Sequence, residues 1–267
     1  MNGLKPVRTR GEGNVRLEFS AYSHPGKVRK NNEDYFFVPT GGTQVKDLMM
    51  VADGMGGHNA GDVASRMVVE AIVEYYSKNL HGVSSVEQAK DLIMDSIQHA
   101  NIKVYKRSQT RDAYKGMGTT LTLAYFFDHR VCIGHVGDSR AYLVRDRAVT
   151  KITRDHSLVQ ELLEEGKITE EEVDNHPQKN IITRALGTAS QVIADYYEME
   201  LKDNDIIILC TDGLTNHVDL NKNIDLFYSA EPLDKIASIL GNKALEAGGV
   251  DNVTIVMAKY SCATEKR

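Results

Sequence analysis

Asp53, Asp138, Asp212 and Asp251 each border an apolar run in this sequence. Leu48 to Ala52 precede Asp53, Val131 to Val136 lead to Asp138, Ile206 to Cys210 lead to Asp212, and Val253 to Met257 follow Asp251. Runs of this length read as buried strands, and a core does not hold an unpaired carboxylate at its margin without something to meet the charge. If the four strand ends converge, two carboxylates ~4 Å apart repel by roughly 4 kcal/mol at an effective dielectric of about 20, so the cluster needs cations. The candidate ligands are hard oxygens, and the chain has no Cys-x-x-Cys or His-Glu-x-x-His pattern, so magnesium or manganese fits better than zinc. A lone Asp-Gly after a strand is an ordinary turn signal. Its recurrence at Asp53-Gly54 and Asp212-Gly213 is what points to chemistry.

These carboxylates must be positioned by the elements around them. Val15 to Tyr22 alternates apolar and polar, as a half-buried strand does, and the Pro25-Gly26 turn then leads through Arg29, Lys30, Asn31, Asn32, Glu33 and Asp34 to a strand at Tyr35 to Val38. This charged connector reads as a solvated loop or as a site element, with Arg29 on an anionic substrate and Asp34 beside the metal cluster. Ala60 to Tyr76 carries Val63, Met67, Ala71 and Tyr75, flanked by Ala64, Val68 and Ile72, on one wide helical face. Ser85 with Gln88 caps a second such helix reaching Val104. Strands at Thr119 to Phe127, Arg130 to Val136, Ala141 to Arg145 and Ala148 to Ile152 are joined by turns too short for parallel crossovers, so they pair antiparallel and the class is α+β. Thr153 to Ala189 is looser, with two short acidic helices capped at Ser157 and Thr169; it reads as a cover, and its glutamates as a solvated face. Strands at Val192 to Leu201 and Ile206 to Cys210, a helix opened by Pro232 and closed by Gly248-Gly249, and a strand at Val253 to Tyr260 complete the chain. Residues 1–14, polar and broken by Pro6, Gly11 and Gly13, read as a mobile arm, 15–260 as one domain with a flap at about 153–190, and 261–267 as a tail.

With 42% hydrophobic and 26% charged residues, the composition is that of an ordinary globular protein, and a net charge of -5 without a Lys/Arg stripe argues against nucleic acid. Three cysteines, two of them within apolar strands, suggest reduced thiols and a cytoplasmic location. The longest apolar runs fall short of the ~20 residues a membrane helix needs, and no signal-peptide pattern is seen, so no membrane association is expected. Gly137-Asp138-Ser139 is near a serine-hydrolase elbow, but Ala141 to Val144 continue as strand where an elbow needs a helix. Cys132 and Cys210 sit in apolar runs, unlike a phosphatase thiolate in an electropositive loop. Gly116-Met117-Gly118-Thr119-Thr120 lacks the Gly-Lys-Ser/Thr of a phosphate loop. His58 and His156 neighbour the proposed site and read as supporting residues rather than ligands.

Taken together, Val28 to Asp34, Val51 to His58, Gly116 to Leu121, His135 to Arg140, Thr211 to Leu214 and Asp251 to Thr254 follow the order of motifs in the metal-dependent type 2C serine/threonine protein phosphatases, and the chain resembles their bacterial branch from about Phe19 to Tyr260. The resemblance implies a four-layer α-β-β-α sandwich with two antiparallel sheets, a flap subdomain, and two Mn2+ or Mg2+ ions with a weaker third. By position, Asp53 resembles the bridging carboxylate, Gly54 a carbonyl ligand, Asp212 and Asp251 ligands of one ion, and Asp138 a ligand of the third. Arg29 resembles the arginine that holds phosphate, and Asp34 the acid that orients the attacking water. The implied activity is hydrolysis of phosphoserine and phosphothreonine by direct attack of a metal-bridging water, on phosphoproteins made by a serine/threonine kinase, by a monomer. A catalytically silent binding module of the same fold is the alternative. Two positions depart from the pattern: Met55 stands where animal members have a histidine, and His24-Pro25 replaces a polar-acidic pair.

Overall fold

The computed structural model describes residues 4–10, 15–56, 60–173 and 175–262. In chain order the elements are β1 (Leu4–Arg10), β2 (Val15–His24), β3 (Asp34–Phe37), β4 (Leu48–Met55), α1 (Ala60–Asn79), α2 (Val86–Ser108), β5 (Gly118–Thr119), β6 (Leu121–Phe127), β7 (Arg130–Val136), β8 (Arg140–Arg145) and β9 (Ala148–Lys151). There follow α3 (Leu158–Glu164), α4 (Glu170–Val173), β10 (Asp195–Glu200), β11 (Ile206–Cys210), α5 (Asp212–Thr215), α6 (Ile224–Phe227), α7 (Leu233–Glu246) and β12 (Val253–Cys262). The strands form two sheets, ordered β1-β2-β12-β11-β8-β9 and β10-β7-β6-β4-β3, with β5 beside β4. The assigned pairs are antiparallel, as the short connections require.

Three apolar layers hold the sandwich together, and strand alternation assigns the residues to them. In β4, Leu48, Met50 and Ala52 face α1 and α2, while Met49 and Val51 face the other sheet. In β11, Ile207 and Leu209 point between the sheets, and Ile206, Ile208 and Cys210 pack with α7. Continuous apolar runs therefore mark strands covered on both faces, which gives the four-layer α-β-β-α architecture. The buried stripe of α1 is Ala64, Val68, Ile72 and Tyr76, one residue along from the Val63, Met67 and Tyr75 series, which is only partly covered. At α7, Gly241 lets the ring of Tyr22 approach so closely that an added Cβ would lie 2.1 Å from the ring.

Two expectations are corrected here. Leu4–Arg10, within the segment read as a mobile arm, pairs antiparallel with β2 and extends the first sheet. Its register shifts between Leu4 and Val7, where Pro6 can donate no backbone hydrogen bond, and both features suit an edge strand. β4 does not end at Ala52 but continues through Asp53 to Met55, because β3 and β5 supply partners for the extra residues.

The segment expected as a cover leaves the first sheet after β9 and joins the second at β10. It carries the two short helices, with Ser157 accepting from the backbone N–H of Gln160 and Glu172 accepting from that of Thr169. Its far end is tied to α2 by Asn101, wholly buried, which accepts from the Gly187 N–H at 2.8 Å and donates to the Ala189 carbonyl at 3.0 Å. Asn101→Ala would strand the buried N–H of Gly187 at about 1–3 kcal/mol, while the carbonyl of the exposed Ala189 can turn to water. The expected loss is about 1–3 kcal/mol in urea unfolding monitored by circular dichroism; an unchanged midpoint would show that this tie carries no stability.

Candidate metal centre

Asp34 and Asp53 stand directly opposite each other in the β3–β4 ladder, so the register places two carboxylates side by side. The Thr211 hydroxyl at the end of β11 donates to Asp34 Oδ2 at 2.9 Å, which brings the neighbouring Asp212 to the same edge. Thr211 also takes the Thr254 N–H on its hydroxyl at 3.0 Å and donates its own N–H to the Thr254 carbonyl, fixing β12 and the Asp251 that precedes it. On the other side, Thr120 Oγ1 accepts from the Asp53 N–H at 2.9 Å and lies 2.8 Å from the hydroxyl of Ser139, next to Asp138. Hydroxyls thus tie the backbones of five separated aspartates to one end of the two sheets.

The electrostatics follow from that crowding. Burial, then Asp212 and Asp251, push the Asp34 carboxyl up to about 7 against hydrogen bonds from Thr254 and Thr211. Burial and the charges of Asp34, Asp212, Asp138 and Asp251 raise Asp53 well above the usual carboxylate range. Asp138 rises to about 7 through burial, Asp212 and Asp155, and Asp212 rises through burial and Asp251. Arg29 donates to Asp251 at 2.9 Å, and Arg140 is committed to Asp155. Asp34 Oδ1 and Asp138 Oδ1 are buried without a hydrogen-bond partner.

Among the described residues, no three His, Cys, Asp or Glu side chains already close around a single point as a finished metal cage. What the edge offers is an open group of hard oxygens, two of them unpartnered, with repulsions that a divalent cation would offset; these residues fit Mg2+ or Mn2+. Gly54 fits a backbone role. An added Cβ there would lie 2.1 Å from the Gly61 carbonyl oxygen and 2.6 Å from that of Glu33, so only glycine lets the chain pass.

Arg29, expected on an anionic substrate, rests on Asp251, and the pairing raises its pKa. Its loop is braced by a residue the sequence reading did not single out. Asn252 accepts from the Glu33 N–H at 2.8 Å and donates to the carbonyls of Pro25 and Asn31. Its place beside Asp251 was the only signal. Where a polar-acidic pair was the usual pattern, His24 Nδ1 accepts from the Gly26 N–H at 3.0 Å and closes the turn. His156 is a supporting residue, as expected: its Nδ1 accepts from the Gly137 N–H at 3.0 Å and its N–H donates to the Gly137 carbonyl at 2.7 Å, holding the turn before Asp138. His58 lies outside the described residues.

An acid whose folded pKa is raised binds more protons folded than unfolded between its ordinary value and the raised one, so it favours the fold at low pH and loses that contribution as pH climbs. For Asp34 the window runs from about 4 to about 7. Asp34→Asn keeps a neutral side chain at every pH, so in EDTA its urea midpoint should gain on the wild type between pH 5 and pH 8; a constant difference would contradict the buried-acid assignment.

A family model described as protein phosphatase 2C matches residues 25–247. The chain is 38% identical over 246 residues to the serine/threonine phosphatase stp of Listeria monocytogenes serotype 4b, covering 91% of this chain and 95% of the relative. It is similar to the crystal structure of serine/threonine phosphatase Stp1 from Staphylococcus aureus, with a TM-score of 0.85, 35% identity, and coverage of 94% and 98%. It is also similar to the catalytic domain of the serine threonine protein phosphatase PstP in complex with two manganese ions, with a TM-score of 0.79, 33% identity, and coverage of 92% and 99%.

Proposed function

Because the chain belongs to the protein phosphatase 2C family, we infer that it hydrolyses phosphoserine and phosphothreonine in proteins with the help of divalent cations. The observation that carries the assignment of roles is the state of Asp34, with one oxygen held by Thr211 and the other buried and unpartnered beside Asp53. In this reading Asp53, the carbonyl of Gly54, Asp212 and Asp251 would hold two ions, and Asp138 a third. The relative in complex with two manganese ions supports a pair of divalent ions, Mn2+ or Mg2+. When bound, such ions supply an acidified water at neutral pH and offset the charge of the phosphate.

The protein's own groups do the rest. Asp34 Oδ1, buried and without a hydrogen-bond partner, is free to orient the attacking water and take its proton. Arg29 lies on the exposed side of the site and can exchange Asp251 for a phosphate, which it matches with two parallel N–H donors. Met55 offers no proton to the leaving alkoxide, so an imidazole at this position is not the source of that proton. A cytoplasmic location is supported by three free cysteines, two of them buried, and the reading extends to a monomer acting on the products of a serine/threonine kinase.

With manganese and a phosphothreonine peptide, Asp53→Ala or Asp212→Ala should lower kcat/KM by roughly 10²-fold or more, a loss of the size seen when a charge-stabilising group is removed. Turnover at the wild-type rate in either variant would overturn the role assignment. Arg29→Ala should raise KM about tenfold and leave kcat within a few-fold, as expected for a lost charge-assisted contact of about 1.5–3 kcal/mol. An unchanged KM would remove Arg29 from the phosphate.

A further inference from the structure

Seven large apolar side chains are exposed among the described residues, and two of them, Val28 at 67% and Val250 at 52%, stand on the loops that carry Arg29 and Asp251. Scattered exposed aliphatics need no explanation. These two are different in what holds them. The Lys27 N–H donates to the Gly249 carbonyl at 2.7 Å, and Arg29 bridges to Asp251 at 2.9 Å. Gly26 has φ +82° and packs so tightly that an added Cβ would lie 2.3 Å from the Asp251 carbonyl oxygen. The two loops are thus fastened together on either side of the valines, and the His24–Gly26 turn and Asn252 fasten the first loop again.

Val28 is one residue, a Cα step of about 3.8 Å, from Arg29, which would meet the phosphate, and Val250 is one residue from Asp251, the partner that Arg29 would exchange for it. Lys27, Arg29 and Lys30 are exposed beside them, so the surface joins positive charge to a small aliphatic contact. An anion drawn to Arg29 as part of a peptide brings its neighbouring residue over this surface. β-branched side chains on a braced backbone lose little freedom when covered. Resting on the phosphatase reading above, we propose that Val28 and Val250 form a specificity contact for an aliphatic side chain adjacent to the phosphorylated serine or threonine of the substrate. The occupant is a substrate segment rather than a second copy of this chain, because the surface is continuous with Arg29 and two side chains fall far short of the ~1,200 Å² that a stable protein interface buries.

The test uses two phosphothreonine peptides that differ only in having leucine or serine on both sides of the phosphothreonine, with p-nitrophenyl phosphate as a substrate that has no flanking chain. The wild type with manganese should prefer the leucine peptide by about tenfold in kcat/KM, the effect of covering part of an aliphatic contact. The Val28→Ser/Val250→Ser double variant should lose that preference through a higher KM for the leucine peptide, while the serine peptide and p-nitrophenyl phosphate change less than twofold. Equal turnover of both peptides by the wild type, or a preference that survives in the variant, overturns the contact. Failure of the wild type to hydrolyse even p-nitrophenyl phosphate overturns the phosphatase reading and the contact with it.

Discussion

Repulsion among aspartates brought to one end of two packed sheets is the constraint around which this structure is arranged. Asp34 and Asp53 face each other across a ladder, and Asp212, Asp251 and Asp138 arrive from separate strand ends, so that the other four together raise the pKa of Asp53, and Asp212 and Asp251 raise others of the group. Side chains on a flexible surface would rotate away from one another. Here they cannot retreat far, because their backbones belong to strands whose neighbouring residues fill both apolar layers. The hydrophobic packing therefore holds an arrangement that electrostatics alone would disperse, and the strain is available to any divalent cation that enters.

The supports of the site are neutral. Thr211 donates its hydroxyl to the Asp34 carboxylate and Thr119 its own to the Asp53 carbonyl, Thr120 takes the Asp53 N–H and meets the Ser139 hydroxyl, and Asn252 holds the connector at Pro25, Asn31 and Glu33 with one amide. Neutral donors and acceptors fix geometry without cancelling the negative charge, whereas the partly buried cation Arg140, close behind Asp138 in the chain, is spent on Asp155. Arg29 is the exception, and it is exposed and within reach of solvent, where its partner can be exchanged. The same loops that carry it are fastened to the loop before β12, so the place where a phosphate would sit and the place where a peptide would lie are set by one group of contacts.

Much of this was legible in the sequence because it depends on local patterns. Apolar runs at Leu48 to Ala52 and Ile206 to Cys210 marked doubly covered strands, and Ser85 and Ser157 marked helix starts whose caps form as expected. The carboxylates were legible as candidates because charge at the end of a buried run is costly wherever it occurs. What could not be read was pairing across long separations. Thr211 meets Asp34 over 177 positions, and neither residue's neighbours advertise the other. Leu4–Arg10 looked like an arm because its own composition is polar and interrupted, yet the open edge of β2 supplies the partner that a local reading lacks. The extension of β4 through Asp53 likewise depends on two residues, Gly118 and Thr119, too few to register as a strand.

The most direct test of the central claim is calorimetric titration of the metal-free protein with manganese, run beside the Asp53→Asn variant. Aspartates gathered against their mutual repulsion predict saturable manganese uptake by the wild type and a marked loss of it when the charge of Asp53 is removed. No uptake by the wild type, or the same isotherm in both proteins, would contradict the account.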